Sequence, residues 1–252
     1  MGRRLAPFFA RRGFRVLVHD PAGTPPGLKA APLSAAADAD VVVVAASLER
    51  AGQALEAVLD RKPKGLVFDI ASVKAPVIPA LRRALKEGVA IASVHPMFGP
   101  AVRSFRGHNL IVCDAGDAAA ARRARTLFAG AGLKIRTIPL AAHDPWIGRT
   151  MGLAHFLALV AGATLAELDT DLSDLEGLAT TSFRRLLDLV ESIVGQDAAL
   201  TRAIQARNPE GETVVEHLAE QVETWRVLLF AEDAAPLNAK LDVLRRALAP
   251  LR

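Results

Sequence analysis

A chain of 252 residues, 51% hydrophobic and 23% charged, can bury one large core or two modest ones, which excludes a disordered polypeptide and a single mini-domain. Its 31 lysines and arginines stand against 27 aspartates and glutamates, a net +4, and they are scattered without interleaved aromatics, which argues against nucleic acid and leaves room for a small anionic ligand. The one cysteine, Cys113, excludes an internal disulfide or a cysteine cluster. The apolar stretch Met151 to Leu165 is short for a bilayer and carries His155, so no membrane span is expected. The basic opening has no cleavage site, and a cytoplasmic address is the expectation.

In chain order, a helix is predicted from Arg3 to Arg12, stopping at Gly13, and a strand from Phe14 to Val18 entering the turn Asp20-Pro21. A proline-rich loop follows. Val41 to Ala45 reads as a strand buried on both faces, Leu48 to Leu59 as a helix and Gly65 to Phe68 as a strand. Then come a helix from Lys74 to Lys86, strands at Val89 to Val94 and Asn109 to Cys113, a helix from Ala118 to Ala129 and a strand from Lys134 to Ile138. Alternation of this kind predicts an α/β fold, a Rossmann-like parallel sheet. From His143 onward the apolar residues keep helical spacing, giving helices at Trp146–Leu168, Leu172–Val194, Asp197–Ala206, Thr213–Phe230 and Leu237–Leu248, with a break at Asn208-Pro209. The expected division is therefore a dinucleotide-binding part, 1–139, and an all-α substrate and dimerisation part, 140–252. Helices this apolar need covering, which predicts a homodimer through the helical part.

The opening helix followed by a strand ending in Asp20 looks like the latter part of a dinucleotide-binding unit. Gly2 stands as the last glycine of its fingerprint, where a missing side chain lets helix and strand pack closely. Asp20 stands where a carboxylate can accept hydrogen bonds from ribose hydroxyls and repel a 2′-phosphate, which favours NAD over NADP. The first strand and the first two glycines of such a unit are missing before Met1. The expectation is that the natural protein starts upstream and that Met1 is internal.

Three further segments carry chemistry together: Asp69-Ile70-Ala71-Ser72-Val73-Lys74, Val94-His95-Pro96-Met97-Phe98-Gly99-Pro100, and His143-Asp144 through Leu153-Ala154-His155-Phe156. The first two lie at predicted strand ends, where open α/β sheets form ligand sites. In order and spacing the combination resembles the prephenate dehydrogenase family, from Gly2 through at least Asn208, and the His-Pro-Met-Phe-Gly-Pro run is its most specific element. The resemblance implies NAD-dependent oxidative decarboxylation of prephenate or a close analogue, arogenate or 4-amino-4-deoxyprephenate. It makes His95 the acceptor of the 4-hydroxyl proton and Ser72 the serine that hydrogen-bonds the histidine and the substrate hydroxyl. Ser72 also reads as the N-cap of the helix expected near Lys74.

His155 matches the family's Leu-x-His-Phe and is expected to line the substrate cleft; as a residue of an apolar helix it reads equally as a core histidine. Lys74 reads either as a neutraliser of ligand charge or as a solvated lysine, and His143-Asp144 as a helix cap. Arg184 falls on a family arginine, whereas the family's second, two turns later, corresponds to Ser192. Arg149, Arg185 or Arg103 could supply that charge to a small anionic cyclohexadienyl substrate. Ser47 stands where the family has proline and is placed on the cofactor side with Gly2 and Asp20. The alternative is a degenerate, non-catalytic member that binds a ligand or partner. A β-hydroxyacid dehydrogenase would need a lysine early in the helical part, and none occurs between Lys134 and Lys240.

Overall fold

The structure, a computed structural model, describes residues 1–168, 174–175 and 177–251. After α1 (Gly2–Ala10), β1 (Leu17–Val18) and β2 (Lys29–Ala30) form a separate two-stranded parallel sheet, followed by α2 (Leu33–Ala37). The strand expected over Phe14 to Val18 is thus reduced to two residues, and the proline-rich loop contains a short strand and helix of its own.

The main sheet takes β3 (Val41–Val44), β4 (Leu66–Asp69), β5 (Ile91–Pro96), β6 (Asn109–Asp114) and β7 (Lys134–Pro139) in chain order. The crossovers are α3 (Ala51–Leu59), α4 (Ile78–Lys86) and α5 (Ala118–Leu127). One pair departs from the parallel expectation: β6 runs antiparallel to β5, with His95 opposite Ile111. The connection between them contains no helix, and a helix-bearing crossover is the usual way to keep two neighbouring strands parallel.

Successive residues point to opposite faces of the sheet and build two cores. Val42, Val44, Val67 and Ile91 pack with α3 and α4. Leu66, Phe68, Ala92, Val94, Leu110 and Val112 pack with α1 and α5, where Phe8 stacks on Phe128 and Phe9 and Phe68 meet it edge-on. Burial on both faces explains the continuous apolar runs of the central strands.

The helix expected from Lys74 begins only at Ile78, with Pro79 in its first turn. Residues 72–77 form bends and turns, with the N–H groups of Lys74 and Ala75 engaged by a distant side chain, as described below.

After Pro139 the described chain is helical: α6 (Leu140–Ile147), a π-helical turn (Gly148–Gly152), α7 (Leu153–Ala166), α8 (Thr181–Val194), α9 (Ala198–Ala206), α10 (Gly211–Leu229) and α11 (Ala235–Leu248). Thr180 and Asp197 cap α8 and α9 with their side-chain oxygens. Of the helix expected over Leu172–Val194, Leu172, Ser173 and Glu176 lie outside the described residues, and α8 begins at Thr181. The Gln205 amide donates to the Gly152 carbonyl at 2.9 Å, binding α9 to the end of the π turn. The expected break at Asn208-Pro209 falls between α9 and α10, and buried Asn208 donates to the Asp144 carbonyl at 3.0 Å.

Candidate active site

β4 ends in Asp69, whose neighbour across the parallel ladder is Ser93 on β5. His95 lies two residues beyond Ser93 and so shares its face of the sheet. Lys74 reaches back under this edge. It is fully buried, and its ammonium donates to Asp69 Oδ1 at 2.9 Å, the Ala71 carbonyl at 2.7 Å and the Val94 carbonyl at 2.9 Å. All three ammonium protons are used, as a buried cation requires. Neither a solvated lysine nor a ligand-facing one describes this residue; it fastens the end of β4 to β5.

The helical part supplies the next layer. Asp144, inside α6, accepts from the Lys74 backbone N–H at 2.7 Å with Oδ1 and from the Ala75 N–H at 2.7 Å with Oδ2. The same Oδ1 accepts from His143 Nδ1 at 2.7 Å, and His143 Nε2 lies 3.0 Å from Nδ1 of His95. His143-Asp144 therefore does not cap α6, which starts three residues earlier at Leu140; it binds a distant segment and the candidate base. The sequence signal for it was the adjacency of a histidine and a carboxylate in a motif segment, and local capping logic hid it.

The electrostatics follow from burial. Burial, then the Lys74 cation and His143, hold the His95 pKa well below the ordinary histidine value. Burial also lowers His143, against the opposing hydrogen bond to Asp144. Burial pushes the Asp144 carboxyl up, but the hydrogen bonds from His143, Lys74 and Ala75 outweigh it and leave the pKa below the usual value. The group is thus two neutral imidazoles in line with a carboxylate. Burial raises the Cys113 thiol to about 12, which makes it a core side chain.

The other expected residues divide by location. Ser72 is half-buried in the bend after β4; it neither caps α4, whose N-cap is Val77, nor bonds to His95, whose ring partner is His143. His155 is buried on α7 with its Nδ1 unpartnered among the described residues, and burial lowers its pKa. Arg149 sits in the π turn, 69% exposed, 3.8 Å from the Glu210 carboxylate. Arg184 and Ser192 lie on exposed positions of α8.

Gly2 opens α1 so close to the segment after β3 that an added Cβ would stand 3.1 Å from the Ala45 Cβ. Ser47 is exposed after β3, and Asp20 is exposed after β1, one carboxylate oxygen accepting from the Ala22 N–H at 2.9 Å. The carboxyl ends of β3, β4 and β5 thus present Ser47, Ser72 and His95 along one edge.

Comparison with known proteins identifies the family and the fold. The family model for the prephenate dehydrogenase nucleotide-binding domain matches residues 27–137, and that for the prephenate dehydrogenase dimerization domain matches 140–243. A Methanocaldococcus jannaschii protein named "Probable arogenate/prephenate dehydrogenase" is 28% identical over 193 residues, covering 75% of this chain and 43% of the relative. The chain thus spans less than half of that relative's length. Among solved structures, prephenate dehydrogenase from A. aeolicus in complex with hydroxyphenyl propionate and NAD+ superposes with a TM-score of 0.70 at 17% identity, over 89% of this chain and 82% of that one. Arogenate dehydrogenase from Synechocystis gives 0.61 at 19% identity, over 88% and 80%. At these identities the structural likeness speaks for the fold. The two family models together span most of the sequence, and the chain belongs to the prephenate dehydrogenase family.

Proposed function

We propose that the chain is an NAD-dependent dehydrogenase that oxidatively decarboxylates prephenate or a close analogue such as arogenate or 4-amino-4-deoxyprephenate. The observation that carries the reading is His95: a buried imidazole held neutral at the carboxyl edge of the sheet and hydrogen-bonded to the helical part. Such a group can take the proton of a ring hydroxyl as that carbon becomes a carbonyl. NAD, when bound, supplies the acceptor for the hydride.

The residues present suit that cofactor. Gly2 leaves α1 hard against the strand end, and one Asp20 oxygen is engaged by its own turn while the other is free to meet a ribose hydroxyl. Ser47 extends the same edge. On the substrate side, Ser72 adds a hydroxyl near the end of β4, His155 a buried ring on α7, and Arg149 and Arg184 cationic forks suited to carboxylates. The helical part presents Leu157, Val160, Val222, Val227 and Val243 to solvent in the single chain, which supports a homodimer through this part.

The reading is tested by following NADH formation with prephenate, arogenate and 4-amino-4-deoxyprephenate in turn. Reduction of NAD with at least one is expected, and no reduction with any of the three overturns it. His95→Asn is expected to lower kcat by roughly 10²–10⁴-fold while calorimetry shows unchanged NAD affinity. Retained turnover would remove His95 from its role.

A further inference from the structure

Three groups share a short run of hydrogen bonds that local sequence does not connect: the Asp144 carboxylate, His143 and His95. The positions of their protons follow from the donors and acceptors around them. Asp144 receives backbone N–H groups on both oxygens and is held ionised, so it can only accept. The 2.7 Å contact from His143 Nδ1 must therefore carry its proton on the nitrogen. A neutral His143 protonated at Nδ1 has a bare Nε2, which can only accept. The 3.0 Å contact to His95 then requires the proton of His95 to sit on Nδ1. His95 is itself neutral, so its Nε2 carries none.

Resting on the dehydrogenase reading above, we propose that Asp144 and His143 are positioning residues that fix the His95 tautomer, and that Nε2 of His95 is the atom that takes the substrate hydroxyl proton. No hydrogen bond engages that Nε2 among the described residues. The O–H bond of the substrate breaks and its proton forms an N–H bond at Nε2, while the electron pair of the ring C–H bond leaves as hydride to NAD. The carbonyl so formed draws the electron pair of the carboxylate C–C bond into the ring. Carbon dioxide departs, and the phenolate recovers the proton from Nε2. Through the step, His95 Nδ1–H stays hydrogen-bonded to His143, whose Nδ1–H turns the Asp144 charge toward the new imidazolium. The Lys74 ammonium opposes that imidazolium, and its charge is balanced locally by Asp69. The remaining titratable group near Lys74 and Asp144, Cys113, is neutral.

The arrangement also orients the ring mechanically. His143 and Asp144 stand on α6 while His95 stands on β5, so the hydrogen bond sets the angle of the base relative to the helical part.

With only six histidines in the chain, ring-nitrogen spectra of the ¹⁵N-histidine-labelled protein resolve the tautomers directly. The expected spectrum has His95 protonated at Nδ1 and bare at Nε2 near neutral pH. A His95 protonated at Nε2 overturns the proposal, whether or not the protein turns over any substrate. Kinetics give a second reading. His143→Leu is expected to lower kcat about 10²-fold with KM nearly unchanged. His143→Gln, whose amide can donate to Asp144 and accept from His95, is expected to restore most of that loss and keep the Nδ1–H tautomer. Full activity in His143→Leu, or no recovery in folded His143→Gln, overturns the proposal. A correct tautomer in a protein that oxidises none of the three substrates defeats the dehydrogenase reading and leaves the proton assignment standing.

Discussion

Lys74 shows how far a residue's role can lie from its local sequence. As a lysine just after Ser72-Val73, it reads as a ligand-facing or solvated charge, yet its ammonium is enclosed by Asp69 and two carbonyls. Removing one partner of such a buried pair leaves an uncompensated charge and costs about 3–5 kcal/mol. Lys74→Met is therefore expected to lower unfolding free energy by about that much in urea titration. Asp69→Leu combined with Lys74→Met should recover part of the loss, since neither member of the pair is then left buried as an unpaired charge. The adjacency of His143 and Asp144 was visible but their long-range role was not: His95 lies 48 residues from His143, and Lys74 and Ala75 lie 70 and 69 from Asp144, and no local pattern reports a hydrogen bond over that separation. His95 could be singled out as a candidate because its whole segment has a family-specific order.

The buried histidines make a pH prediction. His95, His143 and His155 all have folded-state pKa values below the ordinary 6.5, so the folded protein binds fewer protons than the unfolded chain as pH falls through that value. The contribution of these histidines to stability is expected to be flat above about pH 6.5 and to decline below it, with a limiting slope of about 1.4 kcal/mol per pH unit for each histidine involved. The contribution of Asp144, whose pKa is depressed, is lost only below its ordinary value of 3.8. A profile rising toward acid in denaturant titrations at several pH values would contradict these assignments.

Among the elements, the central strands were read closely because two-sided burial writes itself into continuous apolar runs such as Leu66 to Phe68 and Ile91 to Val94, whereas Val41 to Val44, expected to be buried on both faces, is the edge strand β3 with Val41 and Val43 only half-buried. The start of α4 was not. Ser72 to Lys74 has helical neighbours, but Asp144 takes the N–H groups of Lys74 and Ala75, and Pro76 has none to offer. The direction of β6 also escaped the sequence, because a strand's residues do not encode whether its neighbour runs with it. Only the missing crossover helix between Pro96 and Asn109 carried that information.

For the whole molecule, the helical part is the open question of surface. Leu140 to Ala166 forms 27 helical residues whose most apolar 18-residue window has mean hydropathy 1.3, long and apolar enough by length and composition to cross a membrane, and only 17% of that window is buried in the single chain. The same helices carry the buried side chains of His143, Asp144 and His155. A second copy covering Val160, 46% exposed, and Val222, 61% exposed, accounts for the apolar surface without taking those groups from their partners. Light scattering on the purified chain is expected to give a dimer mass, and Val160→Glu a monomer with the secondary structure of the parent by circular dichroism. A monomeric parent would refute the assignment of that face.

The π turn at Gly148–Gly152 has a consequence for angular phase along the helix. At about 100° per residue, His143 and His155 would stand about 120° apart around an unbroken α-helix. A turn closed i→i+5 takes in one more residue, so that the twelve-residue separation acts as eleven and the two rings come within about 20° of one line. The irregular turn is thus a one-residue phase correction that aligns two buried imidazoles. Deleting Thr150 should let the segment wind as plain α-helix while keeping the two rings in phase, since eleven residues at about 100° each again leave about 20° between them. The expected result is a folded chain in which the His155 ring signal still responds to ligand and His95 keeps its tautomer, readable in the same ¹⁵N spectra; loss of the His155 response in the folded deletion variant would contradict the phase argument.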